Sequence, residues 1–461
     1  MAFALRAIVL AAGKGTRMNS ARPKVVHIAA GRPILHYVLD RCAELNAETC
    51  VVVGHGADLV REASASFPGL EFAVQEPQLG TGHAAQVALA ALPPSNDVNV
   101  FVLAGDVPLL RGETLGRLAA RHRESGAAAT LLSFRAPNPG AYGRVVRGGD
   151  GRVLKIVEAR DANPDELSIT EVNASIYIFG EEKLRGALTK LRPENAQGEL
   201  YLTDCIGLLA AAGERIEAVV ADDPAEASGV NTVVELAEIE RVLYRRRAEE
   251  FLRRGVSIER PDTVLIGPDV RISAGATLRS FTILEGASSV GSGAAVGPFC
   301  RIENSDIAEG ATILDSCLIR DSKVGAGASV GPFAHIRPES VVGANAKVGN
   351  FVELKKTVLG AGSKAPHLSY LGDAVIGERA NLGAGTITCN YDGVKKSPTV
   401  IEDDAFVGSN AILVAPVKVG RGAYVAAGSV ITKDVPEGAL GVGRARQENK
   451  AGWASRRPKK H

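Results

Sequence analysis

The sequence predicts an N-terminal α/β domain with a Rossmann-like sheet, followed by a parallel β-helix built from hexapeptide repeats. Three observations carry this. Apolar strand-like runs alternate with helical patterns over the first half of the chain. From Val264 to Asp434 apolar residues recur every six positions, a spacing that neither a helix nor an alternating strand explains. Glycine follows many of these positions, and small residues precede them by two, as expected where a backbone turns three corners per coil.

In order, ALRAIVL (residues 4–10) reads as a buried parallel strand that runs into the loop AAGKGTRM. Strands at about 49–53, 71–74 and 98–103 alternate with helices at about 33–46, 56–65, 81–92 and 112–124, which implies a parallel sheet covered on both faces. A hairpin-like pair, YGRVVR then GRVLKIVE, and a strand around Val172–Phe179 continue it. The expected divisions are an α/β domain over 1–229, a charged amphipathic connector helix over 230–254, and the β-helix with a basic tail over 255–461. In the repeat, Ile266, Ile272, Leu278, Leu284, Val290, Val296 and Ile302 keep a step of six, as do Val324 to Leu354 and Ile401 to Ile431. The beat falters after Leu354 and again between Leu382 and Ile401, and those interruptions hold FVELKK, SKAPHLSYLGD and GAGTITCNYDGVKK. Interruptions of a solenoid commonly map to its binding face. The tail residues Arg456, Arg457, Lys459 and Lys460 read as a solvated terminus.

Composition narrows the function classes. A net charge of +1 gives no field for nucleic acid or a membrane surface, and no apolar run is long enough to span a bilayer. The 6 cysteines show no CxxC or CxxH spacing, so they read as reduced thiols of a cytoplasmic protein without zinc.

Two regions carry chemistry. Gly13 and Gly15 follow the first strand, where open backbone amides can face an anion, and Arg17 and Lys24 add cations to the same place. A GxG alone is a weak signal; the extended LAAGKGTRM…PK string is stronger. LAGDVPL puts Asp106 at the carboxyl end of a strand, where an acid among phosphates suits Mg²⁺, although alone it would serve equally as a helix cap. In the β-helix, His367 suits general-base work, and coil stacking can gather Arg337, Lys355 and Tyr370 around it.

The strings LAAGKGTRM, VQEPQLGTGHA, AGDVPL, YGR, VEA, EVNAS and SGVN, together with the β-helix, resemble the family of bifunctional N-acetylglucosamine-1-phosphate uridylyltransferases/glucosamine-1-phosphate acetyltransferases. The resemblance implies a left-handed β-helix and an enzyme that acetylates glucosamine-1-phosphate with acetyl-CoA. That enzyme then transfers UMP from UTP to the product, giving UDP-N-acetylglucosamine and pyrophosphate for cell-wall and lipopolysaccharide precursors. It implies that Leu10, Ala11, Ala12, Gly13 and Lys24 cradle the nucleotide, that Gln75, Gly80 and Thr81 read uracil and ribose, and that Gly143, Glu158 and Asn173 hold the sugar phosphate. Asp106 and Asn231 would bind Mg²⁺, with Arg17 and Lys24 stabilising transferred charge.

For acetyl transfer the resemblance implies His367 as base, Arg337 and Lys355 on the phosphate, and Tyr370, Asn381 and Lys396 completing the substrate site. Ala384, Asn390, Tyr391, Ser409, Ala427 and Arg444 would line the acetyl-CoA path, and Glu353 would orient His367 or polarise its partner. It also implies a homotrimer, with acetyltransferase sites between neighbouring chains. Two departures stand out: His335 where some relatives carry Arg, and Ala174-Ser175 where some carry Thr-Gly. Two rival readings are a nucleotidylyltransferase whose β-helix only oligomerises or regulates, and a scaffold that uses the β-helix as a passive rod.

Overall fold

A computed structural model describes residues 4–95 and 97–457; Lys459 and Lys460 of the basic tail lie outside the described residues. The chain divides into two compact units, Met1–Leu243 and Tyr244–His461. The boundary falls inside the helix Val233–Arg253, the amphipathic segment read from sequence.

The first unit is built on a nine-stranded sheet. Its strands are β1 (Ala4–Leu10), β2 (Glu48–Val53), β3 (Glu71–Val74), β4 (Val98–Ala104), β5 (Ala129–Arg135), β6 (Arg144–Arg147), β7 (Val153–Val157), β8 (Glu171–Gly180) and β9 (Ile216–Val220). The order is β9-β5-β8-β4-β1-β2-β3, with β6 and β7 extending from β8. The parallel sheet expected from the first four strands continues into an antiparallel part. β1 to β4 are mutually parallel, but β8 runs antiparallel to both β4 and β5. The cause is local: the β6–β7 hairpin turns the chain back, so β8 enters from the opposite end. Helices Ile34–Glu44, Thr81–Ala91 and Gly112–Ser125 cover the sheet, and two apolar layers form on its faces, one around Ile8, Val52 and Phe179 and one around Val9, Val51 and Phe101. Each such side chain removed from water contributes on the order of 1.5–3 kcal/mol.

The second unit winds through three parallel sheets of eleven, ten and nine strands among the described residues. Most strands are only two or three residues long, with one inward apolar residue each, which is the physical origin of the six-residue beat. Neighbouring coils hydrogen-bond in register, for example Val348 over Ala365 and Leu354 over Leu371, at the usual strand spacing of about 4.8 Å. Between Ile302 and Val324 the beat is not lost. Ile307, Ile313 and Ile319 occupy the core, but one corner is a residue shorter, so the coil spans 17 residues (Asp306 pairs with Ser289).

The same holds after Leu354, where Leu359, Ala365, Leu371, Ile376 and Leu382 continue the core without a break. The expectation that SKAPHLSYLGD interrupts the repeat is therefore corrected: it is an ordinary coil. A real insertion follows Cys389, where Tyr391 and Lys396 pair antiparallel and Val394 stands 91% exposed. One corner is occupied by side chains at positive φ: Phe281, Phe299, Ser316, Phe333, Phe351 and Leu368. Phe281 stacks on Phe299 and Phe333 on Phe351, both pairs in solvent.

Candidate active sites

In the first unit, the loops after β1, β3 and β4 meet at the carboxyl ends of their strands and surround a cleft of about 720 Å³. This is where ligands of open α/β sheets bind. The cleft is lined by Leu10, Ala11, Ala12, Gly13, Arg17, Lys24, Gln75, Gly80, Thr81, Asp106 and Asn231. Gly15 sits at φ +60°, and a Cβ there would come within 2.8 Å of Lys24 Cβ. Glycine at this position is what lets Lys24 fold back over the loop.

Four polar side chains converge at one end. Lys24 Nζ donates to Asp106 Oδ2 and, at 3.2 Å, to Asn231 Oδ1. Arg17 donates to the same Asn231 oxygen at 2.9 Å. Asn231 is itself fixed by Glu235, whose Oε2 accepts from the backbone N–H of Asn231 at 2.7 Å and of Thr232 at 2.9 Å, while the Glu235 N–H donates to Thr232 Oγ1 at 3.2 Å. That is a capping box at the start of the Val233–Arg253 helix. The donor set of Asp106 and Asn231 fits Mg²⁺. Both offer hard oxygens, and the Lys24 ammonium already lies between them where a cation would sit. Two protein oxygens suit an ion that keeps waters and substrate phosphates as its other ligands.

Gly143, Glu158 and Asn173 do not line this cleft directly; they form an adjoining cluster. The Asn173 N–H donates to Gly143 O at 2.8 Å, and Thr203 Oγ1 donates to Glu158 Oε1 at 3.2 Å. Burial holds the Glu158 carboxyl above its ordinary range. Asn173 Nδ2 donates to the Tyr177 hydroxyl at 2.6 Å; burial pushes that phenol up, against hydrogen bonds with Asn173 and Ser175. Sequence reading missed Gln78, Tyr142, Ser175, Glu199 and Glu235 as lining residues. Gln78 and Tyr142 stood inside strings already singled out, VQEPQLGTG and YGR. Glu235 had a signal too, the Thr-x-x-Glu spacing that opens a helix.

In the second unit, coil stacking builds two columns. Arg337, Lys355 and Gly372 follow one another on successive strands of one face, because Ile336 pairs with Leu354 and Lys355 with Gly372. Lys355 Nζ donates to Asp373 Oδ2 at 3.3 Å, and Asn390 Nδ2 donates to the same oxygen. A Cβ on Gly372 would lie 2.5 Å from the Tyr370 hydroxyl and 2.8 Å from Asn390 Nδ2, so Tyr370 belongs to this group. Lys396 reaches it from the insertion. The hydrogen bond and charge of Lys355 hold Lys396 below the ordinary lysine range, and Lys396 and Asp373 raise Lys355. Arg337 donates to Glu353 Oε1 at 2.8 Å.

The second column runs along the neighbouring corner. Lys364 pairs with Asn381, Leu382 with Val407 and Val407 with Val425, which sets His367, Ala384, Ser409 and Ala427 one above another. His367 is exposed, and its Nδ1–H donates to Asn350 Oδ1 at 2.8 Å, one coil before it. The expected role of Glu353 in orienting His367 is thereby corrected: Asn350 does this, because Glu353 is spent on Arg337. Asn381 lies on the face that precedes this corner, in line with Phe406, and not on the face of Arg337 and Lys355. Arg444 is exposed in the segment after the last coil.

Other features are structural. Cys42, Cys50, Cys205, Cys300 and Cys317 are buried, and burial pushes the Cys42 thiol up to about 12. Among the described residues no group of three or more His, Cys, Asp and Glu could hold a metal ion, and no helix is long and apolar enough to cross a membrane.

A MobA-like NTP transferase domain matches residues 7–172, a bacterial transferase hexapeptide repeat matches 321–356, and a hexapeptide repeat of succinyl-transferase matches 398–433. The repeat matches and the three parallel sheets make the second unit a left-handed β-helix. Curated relatives share nearly the whole length. "Bifunctional protein GlmU" of Exiguobacterium sp. is 48% identical over 451 residues, 98% of this chain and 99% of the relative. The proteins of the same name from Carboxydothermus hydrogenoformans and Brevibacillus brevis are 47% and 46% identical, over 97% and 99% of this chain and 99% and 98% of theirs.

Proposed function

The chain belongs to the bifunctional GlmU family, and from that premise we propose which residues carry each of its two reactions. The enzyme acetylates glucosamine-1-phosphate with acetyl-CoA, then transfers UMP from UTP to N-acetylglucosamine-1-phosphate, releasing pyrophosphate and UDP-N-acetylglucosamine. The observation that carries the residue assignment is the convergence of Arg17 and Lys24 on Asn231 and Asp106 at the mouth of the first unit's cleft.

In uridylyl transfer a phosphate oxygen of the sugar phosphate attacks the α-phosphorus of UTP in line, and pyrophosphate leaves from the opposite side. The backbone from Leu10 to Gly13 and the Lys24 ammonium cradle the triphosphate, while Gln75, its amide oriented by the carbonyl of Gly80 at 2.8 Å, faces the base. Gly80 and Thr81 hold the ribose; Gly143, Glu158 and Asn173 hold the sugar. Arg17 and Lys24 stabilise charge on the equatorial and leaving oxygens, where most phosphoryl-transfer catalysis originates. Mg²⁺, held by Asp106 and Asn231, supplies further charge neutralisation when bound.

In acetyl transfer the amine of glucosamine-1-phosphate attacks the thioester carbonyl, and its proton must leave. Because Nδ1 of His367 donates to Asn350, Nε2 is the free basic nitrogen. Arg337, Lys355 and Lys396 grip the phosphate, with Tyr370 beside them. Ala384, Ser409 and Ala427 give a column of small side chains that leads along the rod to His367 and suits the acetyl-CoA arm; Asn390, Tyr391 and Arg444 complete its path. Asn381 stands on a different face from the cations, which supports a homotrimer in which a neighbouring chain completes each site. The set of small-molecule substrates and the buried thiols support a cytoplasmic enzyme.

The test supplies glucosamine-1-phosphate, acetyl-CoA and UTP together, then omits each in turn. UDP-N-acetylglucosamine should form only with all three, and N-acetylglucosamine-1-phosphate should replace the first two. Pyrophosphate release from UTP and glucosamine-1-phosphate alone would reverse the order of steps.

A further inference from the structure

Strand β8 is buried from Glu171 to Phe179 with one exception, Ser175. This residue stands at φ +56°, where a non-glycine side chain costs on the order of 1 kcal/mol. The pairing of β8 with β5 slips between Asn173 and Tyr177, so the strand bulges at Ser175 and turns it outward. The direction is into the cleft, where Ala174 and Ser175 form part of the wall with Ala141 and Tyr142. The bulge is held from behind: the Ser175 N–H donates to Asn173 Oδ1 at 3.1 Å, and Asn173 Nδ2 donates to Tyr177 at 2.6 Å. A glycine would adopt this conformation freely. Serine adds a hydroxyl that bonds back to the buried Tyr177 phenol and, with one proton and two lone pairs, keeps a further donor or acceptor for the cleft beside the adjoining Gly143–Glu158–Asn173 cluster. Strain of this kind is retained where the surrounding structure holds it for a purpose.

We infer that Ser175 is a specificity-determining residue for uridylyl transfer, its hydroxyl hydrogen-bonding the sugar ring of the incoming N-acetylglucosamine-1-phosphate. The inference rests on the placement of the sugar at Gly143, Glu158 and Asn173. Loss of one neutral hydrogen bond in a site that otherwise stays intact weakens binding by roughly fivefold.

Two variants separate hydroxyl from backbone. Ser175→Ala keeps the strain and removes the hydroxyl; Ser175→Gly removes both. Both should raise KM for N-acetylglucosamine-1-phosphate by roughly fivefold, with KM for UTP unchanged. Ser175→Gly should also melt no lower than the parent, and acetyl transfer in both variants should be unaltered, which reports intact protein. If both variants leave KM for the sugar phosphate within twofold while Glu158→Gln raises it, the inference about Ser175 is wrong and the sugar subsite stands. If Glu158→Gln leaves it unmoved as well, the subsite itself is misplaced and the inference falls with it. A rise in KM for UTP alone would assign Ser175 to the nucleotide and overturn the proposal.

Discussion

Lys24 Nζ and Asn231 Oδ1 lie 3.2 Å apart although 207 residues separate them in the chain. The first belongs to the opening loop and the second to the turn before the Val233–Arg253 helix, so this end of the cleft closes only when the last segment of the first unit has folded onto the first.

Arg17 donates to the same oxygen from the loop's other side. Arg17→Ala should lower kcat for uridylyl transfer on the order of 10²–10³-fold, the usual cost of removing one charge-stabilising donor, with KM for the sugar phosphate little changed. Steady-state pyrophosphate release with N-acetylglucosamine-1-phosphate and UTP measures it. A pure KM effect would place Arg17 in ground-state binding instead.

His367→Ala should reduce acetyl transfer by about 10²–10⁴-fold, the range of a general base, and leave uridylyl transfer from N-acetylglucosamine-1-phosphate intact. Asn350→Ala should give a smaller loss, because it frees the imidazole to rotate and change tautomer without removing it. Thiol release from acetyl-CoA reports both. Equal losses at both positions would mean that Asn350 touches substrate.

Gly349 lies directly under the next coil, and a Cβ there would overlap the Pro366 carbonyl, the peptide just before His367. Gly349→Ala should therefore cost about 1–3 kcal/mol of stability as an overpacked site and lower acetyl transfer on the order of a hundredfold by displacing the base. Thermal unfolding together with the two separate activity assays checks this; uridylyl transfer should be spared.

Burial holds the His122 imidazole down to about 4 from an ordinary 6.5, with Nδ1 beside Thr130 Oγ1 at 2.9 Å and Nε2 beside Asn99 Oδ1 at 3.0 Å. The unfolded chain takes up the proton first as pH falls, so this contribution is complete above pH 6.5 and is lost between 6.5 and about 4. The loss should amount to roughly 2–3 kcal/mol. Denaturant melts of the parent and of His122→Gln across that range should show the acid slope flattened in the variant.

Much of the architecture was legible because each level of the sequence repeats one message. The inward residues of the β-helix are spaced by its own corners, and the loop strings of the first unit lie at strand ends. What escaped has particular causes. Coils of 17 residues broke the visible beat at Ile307 and Leu359 although neither leaves the core, since a corner can lose one residue without moving the inward positions. The antiparallel course of Glu171–Gly180 depends on a hairpin whose pairing with that strand no local residue pattern announces. Asn350 gave no signal at all, because its meeting with His367 exists only through the stacking of two coils.

That stacking has a further consequence for the corner that carries His367, Ala384, Ser409 and Ala427. Positions along it are quantised: any side chain there can be offset from the base only by whole coils, about 4.8 Å each. With acetyl-CoA lying along this corner as proposed, its reach would be measured out in integer steps. Adding or deleting a complete coil beyond Ala427 would lengthen or shorten the ruler without disturbing its zero, whereas a coil gained between His367 and Ala384 would move the carrier's footholds one full division away from the base.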